Sequence, residues 1–187
     1  MGELVFLLVG GGLIALVVWA RGRFLGFAGQ VPEDYEGIGP DFDLGRHLEG
    51  RLLCEGAIFG PTGRLTSRFT AEMEGVWDGA SGVLAETFRY DSGATQNRAW
   101  HLSVGNDGRF TARASDVIGV AQGRAAGPAV QLRYRIRLPE DAGGHLLDAV
   151  DWMYLMPNGT VVNRSQFRKF GILVAELIAT IRKEDPI

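Results

Sequence analysis

Residues Leu4–Ala20 run without a single charged side chain. The run reads Leu-Val-Phe-Leu-Leu-Val, then Gly10-Gly11-Gly12, then Leu-Ile-Ala-Leu-Val-Val-Trp-Ala. A helix of about 20 apolar residues crosses the hydrocarbon core of a bilayer, and roughly 17 is the short end of the workable range. Trp19 stands at the edge of the run, where an indole favours the headgroup layer, and Arg21 and Arg23 follow it. A buried helix of a soluble domain is a poor alternative, because three central glycines would weaken it by about 1 kcal/mol each. The run therefore predicts a membrane-attached or exported chain, with membrane contact through residues 4–20.

A cleaved signal peptide carries a basic n-region and ends in small residues. Here the n-region is Met1-Gly2-Glu3, the core ends in Val-Val-Trp-Ala-Arg, and no Cys follows it for lipidation. These features favour a retained single-pass anchor in a bacterial inner membrane. The arginines after the run favour a cytoplasmic position for the remainder.

Residues after the anchor suffice for one domain with its own core. The net charge of −3 argues against nucleic acid as a partner. Cys54 is the only cysteine, so neither an internal disulfide nor a Cys-based zinc site is available, and a small buried apolar role is expected. His47, His101 and His145 show no metal-ligand spacing, so neither a metal nor another cofactor is indicated.

Residues 1–24 read as the anchor and 25–49 as a linker, with Pro32, Gly37, Gly39 and Pro40 among acidic residues and at most a helical turn at Asp43–Leu48. From Gly50 to the end of the chain, 50–187, the period is two. Leu65, Ser67, Phe69, Ala71 and Met73 alternate with Thr66, Arg68, Thr70, Glu72 and Glu74. Val130, Leu132, Tyr134, Ile136 and Leu138 alternate with Gln131, Arg133, Arg135 and Arg137. Such segments are antiparallel strands with one wet face. Turn signals such as Asp91-Ser92-Gly93, Asn106-Asp107-Gly108 and Asn158-Gly159 punctuate them. The pattern predicts roughly nine strands, the last broken at Gly171, in an up-and-down meander that removes its edges by closing into a barrel. The fold class is mainly β, an antiparallel barrel preceded by a transmembrane helix.

The segment Glu72–Asp78 with Gly79, Glu86-Thr-Phe-Arg-Tyr-Asp91, Asp116-Val-Ile-Gly119 with Ala121 and Gly123, Asp151-Trp-Met153, Asn163-Arg164 and Lys169-Phe-Gly171 together resemble the DUF3833 family over roughly residues 43–182. The resemblance implies a calycin-type, lipocalin-like barrel, an envelope location on the periplasmic side, and a setting related to lipid. The chain departs from the family's many lipoproteins in having an apolar span and no lipobox Cys.

Candidate binding residues come from two hairpins. With Asn158-Gly159 as a two-residue loop, Tyr154 would face Asn163 and Trp152 would face Ser165. Trp152, Tyr154 and Asn163 would then share a face suited to a small amphipathic ligand, and Asp151 and Arg164 would be diagonal partners on the other face, a structural pair. Glu86 shares a face with Phe88 and Tyr90; if it points inward beside those aromatics, its pKa is raised and it can act as acid or base, and the alternative is a solvated or salt-bridged carboxylate. The stripe Arg133, Arg135, Arg137, with Arg113 and Arg124, is either a lipid-headgroup surface or a solvated face balanced by neighbouring carboxylates. Three functions remain open at this level. They are a tethered barrel binding a lipid or other small apolar molecule, a lipid-modifying enzyme using an interior carboxylate, and a solid-core structural or adaptor domain.

Overall fold

The computed structural model describes residues 2–184; Met1 and residues 185–187, at the outer ends of the expected anchor and barrel segments, lie outside the described residues. Two compact units divide after Asp34. In the first, helix α1 (Gly2–Phe24) is followed by a 3-10 turn, Gly26–Gly29. Its stretch Gly2–Gly22, 21 residues, is long and apolar enough to cross a membrane. At 1.5 Å per residue this is about 31 Å, matching a hydrocarbon core of about 30 Å. The glycines that would weaken a helix in water are tolerable in lipid, where backbone groups have no partner outside the helix. Such a helix near the N-terminus is compatible with a single-pass anchor or a signal sequence.

The second unit is a closed antiparallel barrel of ten strands. They are β1 (Gly50–Phe59), β2 (Leu65–Asp78), β3 (Ser81–Tyr90), β4 (Thr95–Val104), β5 (Arg109–Arg113), β6 (Ala121–Ala126), β7 (Ala129–Arg137), β8 (Leu146–Leu155), β9 (Val161–Lys169) and β10 (Ile172–Lys183). Each strand pairs with its neighbours in sequence, and β1 pairs with β10 to close the ring. The expected ninth strand is two, because Phe170 and Gly171 both take positive φ and turn the chain back on itself.

Closure requires curvature, and the sequence supplies it in two ways. Bulges interrupt the register between Ile58 and Phe59 and between Leu173 and Ala175. The second explains why Val174 breaks the alternation of β10: it is the extra residue, and Ala175, opposite Phe167, restores the phase. In addition, Gly56, Gly82 and Gly123 lie opposite Phe69, Trp77 and Phe110, and a Cβ at any of them would run into the facing ring. An aromatic ring covering a cross-strand glycine lets a sheet bend while keeping its interior filled.

Residues 35–49, expected as linker, belong to the barrel unit. Phe42, Leu44 and Leu48 are all buried. Helix α2 (Leu44–His47) is capped by Asp43, whose Oδ1 accepts from the Arg46 N–H at 3.0 Å. It leads directly into β1 and so sits at the end of the barrel where β1 begins, with Leu44 and Leu48 forming the floor of the interior. The Phe42 N–H donates to the Gly127 carbonyl at 2.8 Å and ties this segment to the β6–β7 turn. The opposite end is ringed by the connections at 60–64, 91–94, 114–120, 138–145 and 170–171.

Candidate functional site

Inside the barrel, above the floor made by α2, is a partly enclosed cavity of about 130 Å³. Its walls are mainly apolar, with Phe69, Phe88, Trp100, Met153, Phe167 and Leu177 among them. One polar cluster interrupts them, built from four strands and a loop. Glu86 on β3 lies directly opposite Arg98 on β4. Tyr134 comes from β7 and Asp151 from β8. Asp116 comes from the β5–β6 connection, pinned beside β7 where the Arg137 N–H donates to the Asp116 carbonyl at 2.8 Å.

The partners within this cluster are unevenly shared. Arg98 Nε lies 3.2 Å from Asp116 Oδ1, an ion pair that is not aligned as a hydrogen bond. The guanidinium stacks over the Trp100 ring at 4.1 Å and faces the Tyr134 ring at 5.7 Å. The Tyr134 hydroxyl donates to Asp151 Oδ2 at 3.0 Å. Asp151 Oδ1 has no aligned hydrogen bond among the described residues; the Ser165 hydroxyl is within its reach but is aimed at Asn163 Oδ1 at 3.2 Å. Glu86 is 8% exposed, and its Oε2 has no partner among the described residues.

Burial in this setting pushes the Glu86 carboxyl up to about 7; Arg98 pulls against that, while Asp151 and Asp116 add to it. Burial raises Asp151 as well, with Ser165, Arg98 and Tyr134 offsetting part of the effect. Tyr134 is held well above its ordinary value, first by burial and then by the Asp151 charge. Burial alone would lower Arg98, but Tyr134 and the three carboxylates outweigh it and keep the guanidinium charged. Cys54, also in the wall, is pushed up to about 12 by burial and is an inert thiol.

The residues singled out from sequence are distributed differently from expectation. Glu86 faces the cavity. Tyr90 lies toward the loop end of β3, where its hydroxyl donates to Gln96 Oε1 at 3.0 Å, and burial raises its pKa. The β8–β9 hairpin corrects the expected register by one residue. Its loop is Pro157-Asn158-Gly159, with Met156 N–H donating to the Thr160 carbonyl at 2.8 Å. Met153 therefore pairs with Asn163, Trp152 with Arg164 and Asp151 with Ser165. A slip of one residue moves every side chain of a strand to the other face. Trp152 and Tyr154 accordingly point out of the barrel, stacked at 6.0 Å, with the Tyr35 ring 5.4 Å from Trp152 and 5.7 Å from Tyr154. Trp152 is 0% exposed although it lies outside the cavity. Asn163 points inward, its amide donating to the Trp152 carbonyl at 3.1 Å. The expected Asp151–Arg164 pair does not form: Asp151 faces the cavity, and Arg164 ion-pairs outside with Glu176 at 3.2 Å.

Arg98, Asp116 and Tyr134 were not anticipated. Arg98 was findable, since it falls in phase with the apolar Trp100, Leu102 and Val104 that follow it on the inner face of β4. The arginine stripe on β7 resolves into local pairs, Arg135 with Asp148 at 3.0 Å and Arg133 with Gln131 Oε1 at 3.0 Å.

The profile of DUF3833, a protein family of unknown function, matches residues 23–183. The chain belongs to that family. No curated protein matches its sequence significantly. Among solved structures, the barrel is similar to the S-type phycobiliprotein lyase CPES from Guillardia theta, with a TM-score of 0.56 at 7% identity over 76% of this chain and 91% of the other. It is similar also to Rv2717c from M. tuberculosis, with a TM-score of 0.55 at 16% identity over 79% of this chain and 99% of the other. At these identities the likeness establishes this DUF3833 member as a lipocalin-like barrel and nothing finer.

Proposed function

We propose that this protein is a membrane-anchored barrel that binds one small, mainly apolar molecule drawn from lipid. The observation that carries the reading is the cavity of about 130 Å³, apolar in its walls and holding a partnerless Glu86 oxygen. A solid core would leave no such space, since protein interiors pack with few voids larger than a water. The volume also bounds the occupant. It is close to the roughly 150 Å³ of an engineered cavity that binds benzene and well below the roughly 300 Å³ of typical ligand pockets. A compact molecule or the end of an acyl chain fits, and a whole lipid does not. The likeness to a phycobiliprotein lyase supports only the capacity of this barrel shape to host a site. Retention of α1 as an inner-membrane anchor fits a ligand that comes from the bilayer.

Native mass spectrometry of the full chain released from detergent tests this. A small molecule should co-purify and be lost in Ala179→Phe, which fills the cavity from a buried lining position. Parent and variant preparations that each show only the mass of their own bare protein would remove the reading. N-terminal sequencing of the mature protein checks the anchor: a start after Ala20 would show that the span is cleaved.

One observation favours a second reading. Glu86 at about 7 is half-protonated near neutrality and sits beside Arg98, Tyr134 and Asp151, an arrangement able to move a proton to or from a bound molecule. The two readings separate by whether the co-purified molecule is released unchanged.

A further inference from the structure

The charge and hydrogen-bond account of the cluster specifies the head of the ligand, an inference that rests on the binding reading above. Three carboxylates, Glu86, Asp116 and Asp151, converge on one guanidinium, Arg98. That cation is already flanked by opposite charge: Asp116 lies at 3.2 Å and the Trp100 ring covers its face at 4.1 Å, although its Nε and Nη2 make no aligned hydrogen bond among the described residues. The Tyr134 hydroxyl is spent on Asp151 Oδ2. Without a hydrogen bond among the described residues are three carboxylate acceptors, Glu86 Oε2, Asp116 Oδ1 and Asp151 Oδ1, against two guanidinium donors, Arg98 Nε and Nη2. Nε lies against Asp116, which leaves an excess of acceptors toward Glu86 and Asp151. Buried acceptors in native structures are satisfied by a donor from protein, water or ligand. No grouping of three or more His, Cys, Asp or Glu able to hold a metal ion occurs among the described residues, so these carboxylates do not form a metal cage.

We infer that the cavity takes a small apolar molecule with a cationic, hydrogen-bond-donating head, a primary amine, and discriminates against a carboxylate. An ammonium supplies three donors and one positive charge to a site with three carboxylate acceptors lacking a hydrogen bond and an excess of negative groups. A carboxylate head brings acceptors and like charge to a place where one guanidinium already faces three carboxylates. The apolar body is contacted by Phe69, Phe88, Met153 and Leu177.

Isothermal titration of the full-length protein in lipid nanodiscs, with empty nanodiscs subtracted, tests this using three probes of one size: benzylamine, benzyl alcohol and benzoate. The expected order is benzylamine first and benzoate last, with at least about a tenfold difference in Kd between them. Glu86→Gln, which keeps shape and removes charge, should weaken benzylamine by about tenfold and move benzyl alcohol by less than about threefold. Should Glu86→Gln fail to fold, Asp151→Asn makes the same test on another of these acceptors. Benzoate binding as tightly as benzylamine, or a Glu86→Gln variant that binds benzylamine unchanged, overturns the amine assignment and leaves the cavity reading standing. No binding by any of the three overturns both.

Discussion

Two hairpins deliver polar side chains to one cavity, and they differ in how they manage charge. The β3–β4 hairpin sets Glu86 directly opposite Arg98, both on its inner face. The β8–β9 hairpin sets Asp151 opposite Ser165 inside and places its cation, Arg164, on the outer face with Glu176. The first hairpin thus carries its own countercharge into the barrel. The second brings a carboxylate whose only cation among the described residues is Arg98, across the cavity, helped by the Tyr134 hydroxyl. The consequence is that one guanidinium serves three carboxylates, and the stability of the interior hangs on β4 far more than on β9.

Removing Arg98 should produce the largest effect. Arg98→Met keeps the apolar stem over Trp100 but strands Glu86, Asp116 and Asp151 without a cation. Breaking a buried pair in this way costs roughly 3–5 kcal/mol. Ser165→Ala on the second hairpin should cost under about 1 kcal/mol. Chemical denaturation of the two variants checks the asymmetry, and equal losses would break it.

Next in size is the pH dependence. A carboxyl whose pKa is raised on folding binds protons more tightly in the folded state, so its contribution favours folding below the unfolded value and is lost as pH rises. For Glu86 the window runs from 4.5 to about 7, and the loss across it is on the order of 3 kcal/mol. Glu86→Gln should flatten most of this slope and be more stable than the parent at pH 8. A shallower fall starting near the ordinary aspartate range should persist, because Asp151 shifts in the same direction. Superimposable pH profiles for parent and variant would show that Glu86 is not desolvated.

The two hairpins also differ in how far sequence alone reveals them. On β3 the inner phase is apolar on either side of the charge, with Leu84 and Phe88 flanking Glu86, and on β4 the apolar Trp100 and Leu102 follow Arg98. With the turn centred on Ser92, pairing Leu84 with Trp100 brings Glu86 onto Arg98, so the ion pair is written in the spacing. On β8 and β9 both faces mix aromatic, amide and charged residues, because part of the outer face is covered by Tyr35, under which Trp152 is fully buried. Periodicity then gives no preference, and register rests on whether the turn has two residues or three. The barrel and its strand spans were legible because most outer faces are wet. Asp116 was not, because it reaches the site from a loop that no alternation describes.

The outward Trp152 sharpens the contrast between buried and functional. Trp152→Leu should cost roughly 2 kcal/mol, a large-to-small change in a packed site that Tyr35 and Tyr154 can only partly close. Benzylamine entering the cavity should change tryptophan fluorescence through Trp100 in its wall, and Trp152→Leu should leave that change intact. Trp100→Phe, inside the cavity, should abolish that change. A response lost with Trp152 and kept without Trp100 would return the aromatic face of β8 to the interior.

The smallest expected effect is also the most direct test of register. A double-mutant cycle between Arg164 and Glu176 should give about 0.5–1 kcal/mol, the ordinary value for a partly exposed ion pair with two hydrogen bonds. The cycle between Asp151 and Arg164 should give less than about 0.3 kcal/mol, because the sheet separates the two side chains. A two-residue turn at Asn158-Gly159 would reverse this. It would put Asp151 and Arg164 on one face and carry Asp151 away from Tyr134. Coupling between Asp151 and Arg164 above about 1 kcal/mol would therefore dismantle the cavity cluster as well as the hairpin, since Asp151 cannot serve both partners.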